Sequence, residues 1–378
     1  MSSQLDVTST GKQHFEVLDG LRGSAALLVV LFHIQGITVD FTQGKLLLPH
    51  AYLAVDFFFA LSGFVIGYAY DDRWGRMSVI EFFKVRLIRL HPLVVLGAVL
   101  GFLSYLLDPF AGSRQHATVF ALAQALVLGL LLLPARPLPN RWEDTHTLNG
   151  PSWTLLQEYL GNIVYALVLR RLSARALILL AALGAIALLL TGATLGALDG
   201  GWGWSNFWMG PLRLWFPFVI GLWIYRVRDR LPAVRLGFLP LTLLLTIAFL
   251  VPTLPTVWGM KWNGIYEALC VVLLFPFIVL CGAHSDAGRG TVSVCKFSGR
   301  ISYPIYITHF PFMYVWMNYV ALNPGSSTST VVIALALVPA TIALAWGAFR
   351  LWDVPIREAL RNRFLRANGR VPAGAVYE

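Results

Sequence analysis

What most constrains this chain is a succession of apolar runs, each close to the 20 residues that a helix needs to cross a bilayer core about 30 Å thick. They fall at about 18–37, 51–70, 88–107, 117–134, 151–169, 175–194, 211–226, 236–252, 263–283, 299–320 and 329–351. With 57% hydrophobic residues, 13% charged residues and a mean hydropathy of +0.68, so much apolar surface cannot be hidden in a water-soluble core. The expected fold class is all-α: a polytopic transmembrane helical bundle of about ten spanning helices plus one non-crossing or re-entrant segment.

The placement of basic residues selects which run is the exception, because Lys and Arg collect on the cytoplasmic side of membrane proteins. If 117–134 does not cross, most of the 29 Lys and Arg share the side of the N-terminus, among them Arg73, Arg76, Lys84, Arg170, Arg171 and Arg226. If it crosses, most fall on the opposite side. The expected arrangement therefore has ten crossings, both termini in the cytoplasm and the bacterial inner membrane as its location. Residues 1–17 read as a short cytoplasmic N-terminus, 18–355 as one integral-membrane domain, and 356–378 as a basic cytoplasmic tail drawn to anionic membrane lipids. The first run is long and contains Arg and His, which argues against a cleavable signal peptide. The net charge of +10 reads as membrane topology and not as nucleic-acid binding. Cys270, Cys281 and Cys295 have no C-x-x-C spacing, so no metal site or disulfide framework is expected.

Inside these runs stand polar residues that hydrocarbon disfavours. In LDGLRGSAALLVVLFHIQGI, Arg22 and His33 lie eleven residues apart, within about 20° of one helix face and separated by roughly 16 Å. A charge at the centre of a spanning helix costs on the order of 2.5 to 3.5 kcal/mol, so the pair suggests a pathway or a reaction centre. On spacing alone, a snorkelling Arg22 and a packing His33 remain the alternative. Asp56, in AVDFFFALSGFVIGYAY, and Glu158, in PSWTLLQEYLGNIVYAL, fall at depths near that of His33 if the span assignments hold. Arg86 and Arg89, in EFFKVRLIRLHPLVV, share a face at a cytoplasmic helix end, and planar guanidinium forks suit phosphate oxygens. They equally serve as topology signals. SGRISYPIYITHFPF carries His309 between Pro304 and Pro311, which implies a broken helix with freed carbonyls. The loop PARPLPNRWEDTHTLNGPSW either covers a cavity mouth or is an inert connector.

Taken together in order, LDGLRGSAALLVVLFH, VDFFFALSGFVIG, RLIRLHPL, PSWTLLQEYLGNIVY, SGRISYPIYITHFP and WDVPIRE resemble the motifs of the membrane acyltransferase-3 family of polytopic O-acyltransferases. The likeness runs from residue 18 to about 358. It implies transfer of an acyl group, usually acetyl, from cytosolic acyl-coenzyme A to a hydroxyl of a carbohydrate or glycolipid acceptor. It also implies catalytic roles for His33 and Glu158 and donor binding by Arg22, Arg86 and Arg89, with Asp56, Trp153, Tyr303 and His309 as further candidates. The family's W-S-L-x-x-E reads W-T-L-L-Q-E here, from Trp153 to Glu158, so Thr154 keeps the hydroxyl. An imidazole suits the task of base because its unperturbed pKa lies near 6.5. Direct transfer and a covalent acyl-His step are both open. A proton-coupled transporter using His33, Asp56 and Glu158 as a relay is the rival reading, although such transporters commonly carry inverted repeats and none is visible. A scaffold without catalysis is a third.

Overall fold

A computed structural model describes residues 14–42, 44–325 and 327–365. Its helices are α1 (Glu16–Thr38), α2 (Ala54–Tyr70), α3 (Val79–Leu107), α4 (Val119–Leu130), α5 (Ser152–Leu167), α6 (Ala174–Leu195) and α7 (Met209–Val227). They continue with α8 (Phe238–Leu250), α9 (Trp262–Leu269), α10 (Phe275–His284), α11 (Val292–Thr308), α12 (Phe310–Leu322), α13 (Thr328–Ala348) and α14 (Val354–Phe364). A two-stranded hairpin pairs Thr256–Val257 with Met260–Lys261. The chain is thus an all-α bundle. Among the described residues, six stretches are long and apolar enough to cross a membrane: Glu16–Thr38, Ala51–Tyr70, Val79–Leu107, Ala174–Leu195, Trp262–His284 and Thr328–Phe364. At 12 residues, α4 extends about 18 Å, short of a bilayer core, and α8 is similarly short at 13 residues.

Local chemistry sets the helix ends. Ser78 and Glu81 form a reciprocal capping box at the start of α3, and the hydroxyls of Thr118, Ser173 and Ser327 cap α4, α6 and α13. Two π-turns, Cys270–Leu274 and Phe349–Asp353, carry α9 into α10 and α13 into α14. Through the second, the chain continues helically past residue 355 to Phe364. The expected N-terminus of residues 1–17 lies mostly outside the described residues, as does the tail from residue 366.

At the centre is α1, packed on α2, α8, α10, α11, α12 and α13. It runs parallel to α11, because Gly20 abuts Cys295, Gly23 abuts Ser298, and His33 meets His309 further along both helices. Small residues permit that approach: side chains at Gly23 or Gly299 would collide with Ser298 or Asp19. The same device joins α2 to α7 at Gly63 and Gly221, where an added Cβ would strike a backbone carbonyl of the facing helix. Arg213 of α7 and Asp56 of α2 form a fully buried pair at 2.6 Å.

The segment 131–151 folds as a cap over the C-terminal end of α1. Ala135 donates to the Thr145 carbonyl, Thr145 donates to the Trp202 carbonyl, and Trp204 Nε1 donates to the Ala135 carbonyl. Thr145, His146, Thr147 and Asn149 are buried, so the segment is a structured lid and not an inert connector. Within it, burial pushes the Asp144 carboxyl up to about 6 against a hydrogen bond of 2.5 Å from Tyr314, and pushes His146 down to about 4.

These two shifts oppose each other. A raised carboxyl makes stability fall as pH rises from about 4 to 6, whereas a lowered histidine makes it rise from about 4 to 6.5. Relative to wild type, Asp144→Asn should therefore gain stability between pH 4.5 and 7.5, and His146→Gln should lose it, each by at most about 3 kcal/mol. Thermal unfolding in detergent at the two pH values reads both. Profiles parallel to wild type in both variants would refute the assignment.

Candidate active site

The break between α11 and α12 builds one end of the site. Pro311 has no N–H, so the Ile307 carbonyl one turn back loses its helical donor. Asn149 of the cap supplies one through Nδ2 at 2.9 Å. At the break stands His309, completely buried, and its Nδ1 lies 3.0 Å from the Ile305 carbonyl. A carbonyl only accepts, so His309 Nδ1 carries the proton and its Nε2 presents a lone pair. That nitrogen is 3.1 Å from His33 Nδ1. In the neutral pair, His33 Nδ1 must then be the donor, which leaves His33 Nε2 unprotonated. The rings stack at 5.2 Å, with Phe310 edge-on to His33 at 4.9 Å. Trp142 of the cap packs near Phe41 and Phe310 at the same end.

The other end of α1 holds the cations. Arg22 is fixed by Asp19 at 2.9 Å, the Ser302 hydroxyl at 2.9 Å and the Gly299 carbonyl at 3.1 Å. It and His33 therefore both face α11, as their spacing requires. On α3, Arg86 donates to Glu158 at 2.7 Å, and Ser62 of α2 donates to the same carboxylate oxygen at 3.0 Å. Arg89 is surrounded by Arg22, Arg86, Arg357 and Asp353 and makes no hydrogen bond or ion pair among the described residues. Between the two ends, Tyr303, Tyr306 and His309 succeed one another at three-residue intervals along α11. Tyr303 donates to the Leu90 carbonyl at 2.8 Å and adjoins Arg89 and Glu158, while Tyr306 bonds Thr154 at 3.0 Å. Together they form a track from the arginines to the histidine pair.

Asp56 and Glu158, expected at the depth of His33, and the further candidate Trp153 have other partners. Asp56 is committed to Arg213, whose remaining donors reach the Gly200 and Tyr52 carbonyls, so this carboxylate holds α2 to α7. Glu158 faces Arg86 and has no hydrogen bond to His33. Trp153 is buried against Phe59 and Gly201, with Arg213 over its face at 5.5 Å, and shapes the floor beneath that ion pair. In place of a carboxylate, the partner of His33 is His309. Arg213 and Asn149 enter the framework without a sequence signal of their own, because each finds its partner through tertiary packing, whereas Arg357 lies in the WDVPIRE motif and pairs within its own helix. Arg357, expected in a lipid-facing tail, is 6% exposed and paired with Asp353 at 2.8 Å, four residues back on the same helical face.

The tautomer is directly testable. With 15N-labelled histidine at pH 8, His33 should appear as the Nδ1–H form, and His309→Ala should release it toward the Nε2–H form that free imidazole favours. A wild-type His33 protonated at Nε2 would overturn the relay.

Comparison with known proteins gives three findings. A family model described as an acyltransferase domain matches residues 15–350. A protein of Rhizobium radiobacter named "Protein 2 in picA locus" is 36% identical over 196 residues, a match covering 48% of this chain and 96% of that protein. No solved structure matches.

Proposed function

This chain belongs to the acyltransferase family whose model spans residues 15–350, and on that premise we propose that it is a membrane O-acyltransferase drawing its acyl group, acetyl in the first instance, from cytosolic acyl-coenzyme A. The acceptor is a hydroxyl of a carbohydrate or glycolipid in the outer half of the inner membrane. The observation that carries the reading is the hydrogen bond from His33 to His309, which leaves His33 Nε2 free as a base at the capped end of α1. Arg22 stands eleven residues away on the same face, about 16 Å along the axis. A pantetheine arm, an amide-linked chain of four to five residue lengths, extends roughly 15 Å. Phosphates near Arg22, Arg86 and Arg89 are thus compatible with a thioester carbonyl near His33.

In this reading His33 Nε2 takes the proton of the acceptor hydroxyl as its oxygen attacks the thioester carbonyl. The carbon–sulfur bond then breaks, and the imidazolium returns the proton to the departing thiolate, giving the ester and free coenzyme A. Throughout, His33 Nδ1–H donates to His309, which in turn donates to the Ile305 carbonyl, so the ring that acquires charge is held in one orientation. Glu158 fixes Arg86 beside the path and supplies a negative charge near Tyr303 and Tyr306. No metal is needed for any of these steps. A proton relay through Asp56 and Glu158 is less well supported, since each carboxylate is already paired with an arginine.

Incubating purified protein with labelled acetyl-coenzyme A and a carbohydrate hydroxyl acceptor should yield labelled ester. His33→Ala should lower the rate at least 100-fold while the protein stays monodisperse. Transfer within a few-fold of wild type would remove His33 from the mechanism.

The Lys and Arg distribution supports ten crossings with both termini cytoplasmic. A membrane-impermeant thiol reagent should then label the exposed position 136 from outside in Arg136→Cys and leave Ser173→Cys protected, on a background lacking the three native cysteines. The reverse pattern would turn the arginine end of the bundle outward and contradict a cytosolic donor.

A further inference from the structure

The charges inside the bundle can be paired off. Arg22 has Asp19, Arg86 has Glu158, Arg213 has Asp56, Arg226 has Asp71 and Arg357 has Asp353. Among the described residues Arg89 has no carboxylate within ion-pair distance, and it lies where the first, second and last of these pairs meet. Its neighbours are incompletely satisfied too. Nε of Arg86 and Nε of Arg357 are buried donors without hydrogen-bond partners, and Oδ1 of Asp353 is a buried acceptor that neither of them reaches. A buried donor without an acceptor costs free energy, and three guanidinium groups gathered together attract an anion with several oxygens.

We propose that this arginine cluster is a phosphate site to which the C-terminal helix contributes: Arg357 of α14 binds donor phosphate together with Arg89, and Asp353 is the resident counterion that the phosphate competes with for Arg357. The proposal rests on the acyl-coenzyme A reading above and adds α14 to it. The helix is in position to act this way. It packs against α3, the π-turn before it is pinned when Trp352 Nε1 donates to the Pro92 carbonyl at 2.7 Å, and the turn places Asp353 and Arg357 on the side of Arg89. Planar forks from α3 and α14 approach one centre from two elements, an arrangement suited to a pyrophosphate or a phosphomonoester and not to a neutral pantetheine.

The distinction supplies the experiment. Binding of free coenzyme A and of pantetheine is measured to purified wild type, Arg357→Ala, Arg357→Lys and Asp353→Asn, alongside the kinetic constants for acetyl-coenzyme A and acetyl-pantetheine. Arg357→Ala should weaken coenzyme A binding about tenfold and reduce by a similar factor the preference for acetyl-coenzyme A over acetyl-pantetheine, acting through KM. Arg357→Lys should recover part of this. Asp353→Asn should bind coenzyme A more tightly than wild type, because the competing charge is gone. Equal losses for the phosphorylated and unphosphorylated ligands, or weaker coenzyme A binding in Asp353→Asn, would make the pair structural and overturn the proposal. So would an Arg357→Ala effect present in nanodiscs with anionic lipid and absent in neutral ones, which would assign Arg357 to a lipid headgroup. A wild type that binds coenzyme A through Arg357 and transfers no acyl group would sink the acyltransferase mechanism and leave this site standing.

Discussion

Charge inside a hydrocarbon slab has to be answered by charge, and the arrangement of this bundle follows from how that demand is met. Five carboxylates among the helices are matched to an arginine from another turn or another helix, while Glu267 of α9 is matched to His50, and the matches tie the fold together. Asp56 and Arg213 join α2 to α7, Glu158 and Arg86 join α5 to α3, and Asp71 and Arg226 join the end of α2 to the end of α7. Removing one partner of such a pair leaves an uncompensated ion and costs about 3 to 5 kcal/mol. Against that background an arginine without a counterion is conspicuous, and Arg89 is the one around which the donor site is drawn.

The histidine pair is assembled by a different constraint, the backbone chemistry of proline. Because Pro311 cannot donate, the helix breaks at His309, and the break turns one imidazole toward α1 while exposing a carbonyl that Asn149 of the cap satisfies. The resulting chain from Ile305 through His309 to His33 determines which nitrogen of His33 is basic. Close approach of α1 to α11 at their glycines keeps the two rings in register. One helix thus presents cations at its beginning and a base near its end, with tyrosines of its parallel neighbour between them.

Much of this was legible in the sequence, and what was not has a common cause. The eleven-residue spacing of Arg22 and His33 predicts one shared face, and both do face α11. Pro304 and Pro311 predict a broken helix, which is found at His309. What periodicity cannot give is pairing across distance. The depth of Asp56 suggested His33 as its neighbour, yet its partner is Arg213, 157 positions along the chain. Arg357 looked like part of a lipid-attracted tail because basic residues at a helix end are usually topology signals; only the packing of α14 on α3 reveals it as buried. The cap, too, is held by hydrogen bonds between segments some 60 residues apart, which leave no local pattern.

The central claim is that one donor molecule reaches from Arg89 to His33. A cryo-EM structure with a thioether analogue of acetyl-coenzyme A, in which the acyl group cannot leave, tests it most directly. The account predicts phosphate density against the Arg89 guanidinium, the pantetheine arm running past Tyr303 and Tyr306, and the acyl carbonyl carbon roughly 4 to 5 Å from His33 Nε2, leaving space for an acceptor oxygen in hydrogen-bond reach of the imidazole and about 3 to 3.5 Å from the carbon. Phosphates bound elsewhere, or an acyl end that does not approach His33, would contradict it.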